Sequence, residues 1–268
     1  MRRITSRTNP LVARFREAAR GRGPDGTILL DGVHLVEEAL GSDVTLEVVA
    51  LTDVVADAQV ATLAPEVTRR GGEIVRVPAA VMTAMSPVRQ PSGVVALGLA
   101  RSATLDEVLS NAPQLVLVLD AIQDAGNVGA IVRAAEGCGA SGVVVSAGSA
   151  DPFGWKALRG AMGSTFRLPI AVRQRSQEVL KQLRARGIAV VATIPRGGTP
   201  LPACDLRRPT AILLGAEGAG LSEGLMETAD ERVSIPMRPT VESLNVAVTA
   251  ALMLYEATKQ RNGHVPLP

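Results

Sequence analysis

Three short polar segments in the C-terminal half carry the side chains best suited to chemistry. The first runs from Asp120 to Arg133 and holds Asn127 and Arg133. Asn127 precedes an apolar-periodic stretch and is placed to cap the helix after it. Arg133 falls on the same helical face as Gly129 and Ala130. Helical side chains lean toward the helix N-terminus, so its guanidinium is directed over small residues toward an anion-favouring end. A phosphate suits that place, and so does an ordinary surface salt bridge; the segment alone leaves both open. The second segment, Leu213 to Ser222, sets Glu217 among Gly215, Gly218 and Gly220 just past a strand-like run. Glycines let a ligand approach the backbone, and open α/β sheets place ligands beyond strand ends. A tight turn with an exposed acid fits the same residues. The third segment joins Ser234-Ile235-Pro236-Met237 to Glu242-Ser243-Leu244-Asn245-Val246. Ser243 is placed to cap a long helix, and Asn245, the strong polar group before an apolar run, either acts specifically or faces water.

Other chemistries are excluded. His34 and His264 are far apart and have no cysteine or carboxylate cluster beside them, so no metal site is expected. The chain has no nucleophile elbow and no phosphate-binding P-loop. Gly137-Cys138-Gly139-Ala140-Ser141-Gly142 matches a dinucleotide fingerprint in letters only. A helix precedes it and a strand follows, the reverse of what that fingerprint requires, so it reads as a helix-to-strand turn.

The elements that position these segments alternate. Leu115–Leu119 is a continuous apolar run, as in a strand buried on both faces. Helix over 127–136, strand over 142–146, helix over 177–186, strands over 189–193, 211–214 and 232–235, and a long helix over 243–259 follow, which predicts a mostly parallel α/β sheet. Ahead of it, residues 1–102 read as a smaller α/β domain, 103–113 as a linker with a short helix at 105–109, and 263–268 as a disordered tail. Aromatics make up only 2% of the chain, so the cores must come from Val, Leu, Ile and Ala. The net charge of +2 is too small to imply a polyanionic partner by itself. Seven arginines against Glu17 within the first 23 residues fit either an RNA-facing arm or a solvated helix. Two cysteines without a paired motif, no apolar run of membrane-spanning length and no signal-peptide core predict a soluble, cytoplasmic protein with no membrane partner.

The joint pattern of Asn-x-Gly-x-x-x-Arg, Gly-x-Glu-Gly-x-Gly-Leu-Ser and Ile-Pro-Met…Ser-Leu-Asn-Val resembles motifs 1 to 3 of the SpoU (TrmH-type) RNA 2′-O-ribose methyltransferases of the SPOUT superfamily. The likeness covers roughly 115–261. Asp31-Gly32…Glu38-Ala39 and Gln90-Pro91-Ser92-Gly93 resemble that family's ribosomal-protein-like RNA-binding domain. Ala125 and Asp31 depart mildly, standing where proline and glutamate are common. The resemblance implies a deep trefoil α/β knot, S-adenosyl-L-methionine as cofactor, and a homodimer through the C-terminal domain. It implies that Gly215, Ile235, Met237 and Leu244 hold the cofactor, and that Asn127, Arg133, Glu217, Ser243 and Asn245 do catalysis and RNA positioning. The implied activity is 2′-O-methylation of structured RNA, ribosomal rather than transfer RNA. A resistance enzyme of the same family, a base methyltransferase on a related fold, or a catalytically silent RNA-binding protein are the other readings.

Overall fold

The computed structural model describes residues 1–55, 57–110 and 114–262. In chain order the first elements are β1 (Arg2–Arg3), α1 (Pro10–Ala19), β2 (Thr27–Asp31), α2 (Val33–Leu40), β3 (Thr45–Leu51), α3 (Asp57–Arg69), β4 (Glu73–Arg76), α4 (Ala79–Met85) and β5 (Val94–Leu99). Then come α5 (Leu105–Ser110), β6 (Leu115–Leu119), α6 (Ala125–Gly137), β7 (Gly142–Ser146), α7 (Trp155–Ala161), β8 (Ile170–Gln174), α8 (Ser176–Ala185) and β9 (Ala189–Thr193). The chain closes with β10 (Thr199–Pro200), β11 (Thr210–Leu214), α9 (Glu223–Glu227), β12 (Glu231–Ser234) and α10 (Val246–Asn262). It divides into two units, residues 1–101 with 153–167, and 102–152 with 168–268. No helix among the described residues is long and apolar enough to cross a membrane.

The first unit is a mixed sheet ordered β1-β4-β3-β5-β2 with helices on both faces. Alternation sorts its strands: Ile28 and Leu30 enter one core with α2, α3 and Leu158, while Leu29 enters the other with Phe15 and Met82. The segment 153–167 was not read as an element in the sequence. Its Leu158 is 1% exposed and packs with Phe153 and Phe166 in the first of those cores. A cut at residue 102 therefore strips this helix of its core.

The second unit carries the parallel sheet, ordered β10-β12-β9-β11-β6-β7-β8. β6, β7 and β11 are buried at every position, as expected of strands covered on both faces. Residues 103–110, expected as linker, belong to this unit, since α5 buries Leu105, Val108 and Leu109 in its core. The rest of that linker and the tail at 263–268 lie outside the described residues. Strand β8 was missed in the sequence. It is an edge strand that buries only Ile170 and Ala171, so it shows no apolar run. It also bulges: Val144 faces Ala171 but Ser146 faces Gln174, one extra residue on β8. Arg173 sits in that bulge at φ 55, a left-handed conformation that costs a residue with a Cβ about 1–2 kcal/mol. The Gly137–Gly142 stretch is indeed a helix-to-strand turn: α6 ends there, Gly139 takes φ 72, and β7 begins at Gly142.

Candidate active site

Strand order reverses between β6 and β11, whose carboxyl ends lead into the loops that carry Asn127 and Glu217. The crevice at such a reversal is where a doubly wound sheet holds its ligand. Glu217, three residues beyond β11, meets Asn127 on α6 there: Asn127 Nδ2 donates to Glu217 Oε1 at 2.9 Å. Asn245 Nδ2 donates to Asn127 Oδ1 at 3.1 Å. One side chain from each of the three segments thus forms a chain of hydrogen bonds, Asn245 to Asn127 to Glu217. Glu217 Oε2 also accepts from the Gln123 backbone N–H at 3.4 Å.

Two capping expectations are corrected. Asn127 is not the N-cap of its helix. Asp124 is, with its carboxylate accepting from the Asn127 N–H at 2.8 Å, so Asn127 lies in the first turn and its side-chain amide serves Glu217 and Asn245 instead of a cap. Ser243 does not cap the long helix either. That helix starts at Val246, and Asn245 Oδ1 accepts from the N–H groups of Ala247 at 2.9 Å and Val248 at 3.3 Å. The residue nearest the first helical amides wins, and it spends its carbonyl on the cap and its NH₂ on Asn127.

Beside this chain lies a cavity of about 320 Å³, within the size range of small-ligand sites. Gly215, Ile235, Met237, Leu244 and Ser243 all line it, with Glu217 and Asn245 at its polar side and Val233, Val246 and Met253 on its apolar side. The glycine loop makes the space. A Cβ on Gly215 would stand 2.4 Å from Gly220 C and from Leu221 N. Gly218 and Gly220 take φ 86 and 68, and the Gly220 N–H donates to Ala216 O at 2.8 Å, which folds the loop back on itself. An apolar wall facing backbone polar groups fits a nucleoside with a sulfonium side chain. Thr193, Pro195 and Thr249 also line the cavity and were missed in the sequence, where nothing marks them. Arg133 stands apart: it is exposed on α6 and does not line the cavity. Among the described residues no group of His, Cys, Asp and Glu is arranged to hold a metal.

The model of the SpoU rRNA Methylase family matches residues 114–255, and that of an MRM3-like substrate binding domain matches residues 11–96. The chain belongs to the SpoU rRNA Methylase family. Among SpoU relatives, it is 35% identical to an uncharacterized tRNA/rRNA methyltransferase of Synechocystis over 96% of this chain and 94% of that one. It is 32% identical to the 23S rRNA (guanosine(2553)-2′-O)-methyltransferase RlmP of Bacillus subtilis over 95% of this chain and 98% of that one. A structure of an AdoMet-bound rRNA methyltransferase from Sinorhizobium meliloti superposes with a TM-score of 0.87 at 29% identity, covering 99% of each chain.

The loops of this SpoU-family chain are held by small hydroxyl side chains that sequence reading passed over. Ser146 Oγ accepts from the Ala121 N–H at 3.0 Å, and Ser149 Oγ from the Ile122 N–H at 3.1 Å. Ser176 Oγ donates to Asp120 Oδ1. These bonds pin the start of the Asp120–Asp124 loop to the ends of β7 and β8, and so fix where Asn127 begins.

Proposed function

We propose that this SpoU-family enzyme transfers the methyl group of S-adenosyl-L-methionine to a ribose 2′-hydroxyl of large-subunit ribosomal RNA. The observation that carries the reading is the Asn245–Asn127–Glu217 chain standing beside a glycine-cradled cavity. When bound, the cofactor supplies a methyl group already made electrophilic by its sulfonium. Gly215, Ile235, Met237 and Leu244 hold it, largely through backbone and apolar contact. A ribose hydroxyl is a weak nucleophile, so the protein must place it in line and help it lose a proton. Good placement alone is worth up to about 7–11 kcal/mol of barrier. Arg133 holds the neighbouring phosphate and stabilises developing alkoxide charge, since a guanidinium stays protonated and is a poor literal base. Glu217 and Asn127 orient the ribose, Asn245 fixes Asn127, and Ser243 helps shape the cavity mouth. No metal takes part.

Three further parts belong to this reading. The first unit carries the RNA and leaves the cofactor alone, which its match to a substrate-binding domain supports. The C-terminal segment is threaded as a knot, a reading supported by the SpoU family match over residues 114–255. The enzyme works in the cytoplasm as a homodimer through α10, where Val248, Leu252 and Tyr255 leave an apolar face 48%, 40% and 66% exposed. The direct test is product analysis. Purified enzyme, labelled cofactor and large-subunit RNA from a strain lacking the gene should yield a 2′-O-methylated nucleoside after digestion. Label in a base would overturn the assignment.

A further inference from the structure

The cations of the second unit sort by whether they have a partner. Most are tied to the protein: Arg186 to Asp106, Arg207 to Asp205, Lys259 to Glu256, and Arg196 to the carbonyls of Pro239 and Val241. Among the described residues of this unit, the guanidinium groups of Arg133, Arg173, Arg175 and Arg238 have no hydrogen bond or ion pair to the protein. Three of these four lie on the carboxyl edge of the parallel sheet: Arg173 and Arg175 where β8 ends, Arg238 just past β12. Three carboxylates of this edge are engaged by hydrogen bonds, while Glu242, on the loop after β12, is exposed. Asp120 accepts from Ser176, Asp124 from the Asn127 N–H, and Glu217 from Asn127. The edge around the cavity therefore presents unneutralised guanidinium groups at both ends.

We propose that this edge is the RNA track, with Arg173 and Arg175 gripping phosphates on one side of the target ribose and Arg238 on the other. The proposal rests on the ribose-methylation reading above. β8 and β12 are five strand spacings apart, about 24 Å at the usual interval, which is the reach of a few nucleotides of an opened strand. The Asn127–Glu217 bond lies between these ends, and the cavity lies toward the β12 end, where Val233, Ile235 and Met237 line it. Two features at the end of β8 favour a partner outside the chain. Arg173 keeps a left-handed backbone that glycine or asparagine would adopt more readily. Arg175 occupies the position before α8 without a capping bond, where a cation opposes the helix dipole. The pair is also rigidly placed. The Ala147 N–H donates to Gln174 O at 3.0 Å, Gln174 Nε2 donates to Val172 O at 2.8 Å, and Ser176 reaches Asp120. Arg173 and Arg175 are thus positioning residues fixed to the loop that starts the catalytic segment.

The test is the double variant Arg173→Gly, Arg175→Ser. It relaxes the backbone at 173 and supplies a good cap at 175, so its melting temperature should equal or exceed that of the parent. Its affinity for S-adenosyl-L-methionine should be unchanged. On large-subunit RNA from a strain lacking the gene, KM should rise at least tenfold with kcat within about threefold. The plot of log affinity against log salt should flatten by about 1.4, two phosphate contacts at about 0.7 each on single strands. Arg173→Lys with Arg175→Lys should keep most of the affinity. Unchanged KM and salt slope in the double variant would overturn the track, and so would a loss confined to kcat. If the parent enzyme itself leaves every ribose of that RNA unmethylated, the functional reading fails first, and that result is read on the parent alone. Arg238→Ala, measured the same way, tests the far end and should flatten the slope by about half as much.

Discussion

Asn245 makes two kinds of hydrogen bond with different atoms, one for the fold and one that the proposed chemistry would use. Its carbonyl oxygen caps α10 and its NH₂ holds Asn127. The two roles can be separated. Asn245→Asp keeps an acceptor for the helix amides and adds a favourable charge at a helix start, but it cannot donate to Asn127. Thermal unfolding should place it at or above the parent, while methyl transfer falls at least tenfold. Asn245→Ala should lose both, with about 1 kcal/mol of stability gone. Equal activity in the Asp variant would remove Asn245 from the positioning chain. The residue types at this site were legible in the sequence, because an isolated polar group before an apolar helix has few bland explanations. Which residue capped which helix was not. Asp124 lies three residues ahead of Asn127, and Asn245 two beyond Ser243, and all four are competent caps. Local spacing cannot rank them until the first helical amide is known. The N-terminal arginines show the same limit. Arg2, Arg3, Arg14 and Arg20 form ion pairs with Glu73, Asp53, Glu47 and Glu17, acids mostly distant in sequence.

The glycine loop after β11 works as a unit, and its glycines are not equivalent. Gly215 has no room for a methyl group, with backbone at 2.4 Å from the site of a Cβ. Gly218 has open space around it and only an unfavourable φ of 86. Gly215→Ala should therefore push the 218–221 backbone out of place and weaken cofactor binding more than tenfold by calorimetry. Gly218→Ala should cost about 1 kcal/mol of stability and little affinity. Similar affinities in the two variants would mean that the cofactor does not rest on this loop. The central strands and the helices that flank them were visible because full burial demands unbroken apolar runs. Strand β8 and helix α7 were not. An edge strand needs apolar side chains on little of its length, and α7 serves the core of the other unit, so its pattern matches nothing around it in sequence. The cavity walls at Thr193 and Thr249 come from elements whose meeting depends on topology, which no window of sequence contains.

For the whole molecule, the long helix settles a question of composition. Its apolar residues run nearly all round, but only Val246, Ala250, Met253, Leu254 and Ala257 are buried within the chain. Val248, Leu252 and Tyr255 follow at helical spacing on the remaining face. Covering them with a second copy is the simplest use for that face. Sedimentation at micromolar concentration should show a dimer, and Leu252→Asp with Tyr255→Asp should shift it to monomer. A parent that sediments as a fully active monomer would rule the pairing out. In the proposed function a substrate-binding unit serves a methyltransferase unit that acts on ribosomal RNA. The most direct test of that function is a map of ribose methylation across the host's stable RNAs, with the gene present, deleted, and restored as either the parent or Arg133→Ala. Deletion should erase 2′-O-methylation at a site in large-subunit ribosomal RNA, the parent should restore it, and Arg133→Ala should not, although it still binds the cofactor. An unchanged ribose map on deletion, or full restoration by Arg133→Ala, would contradict the proposed function.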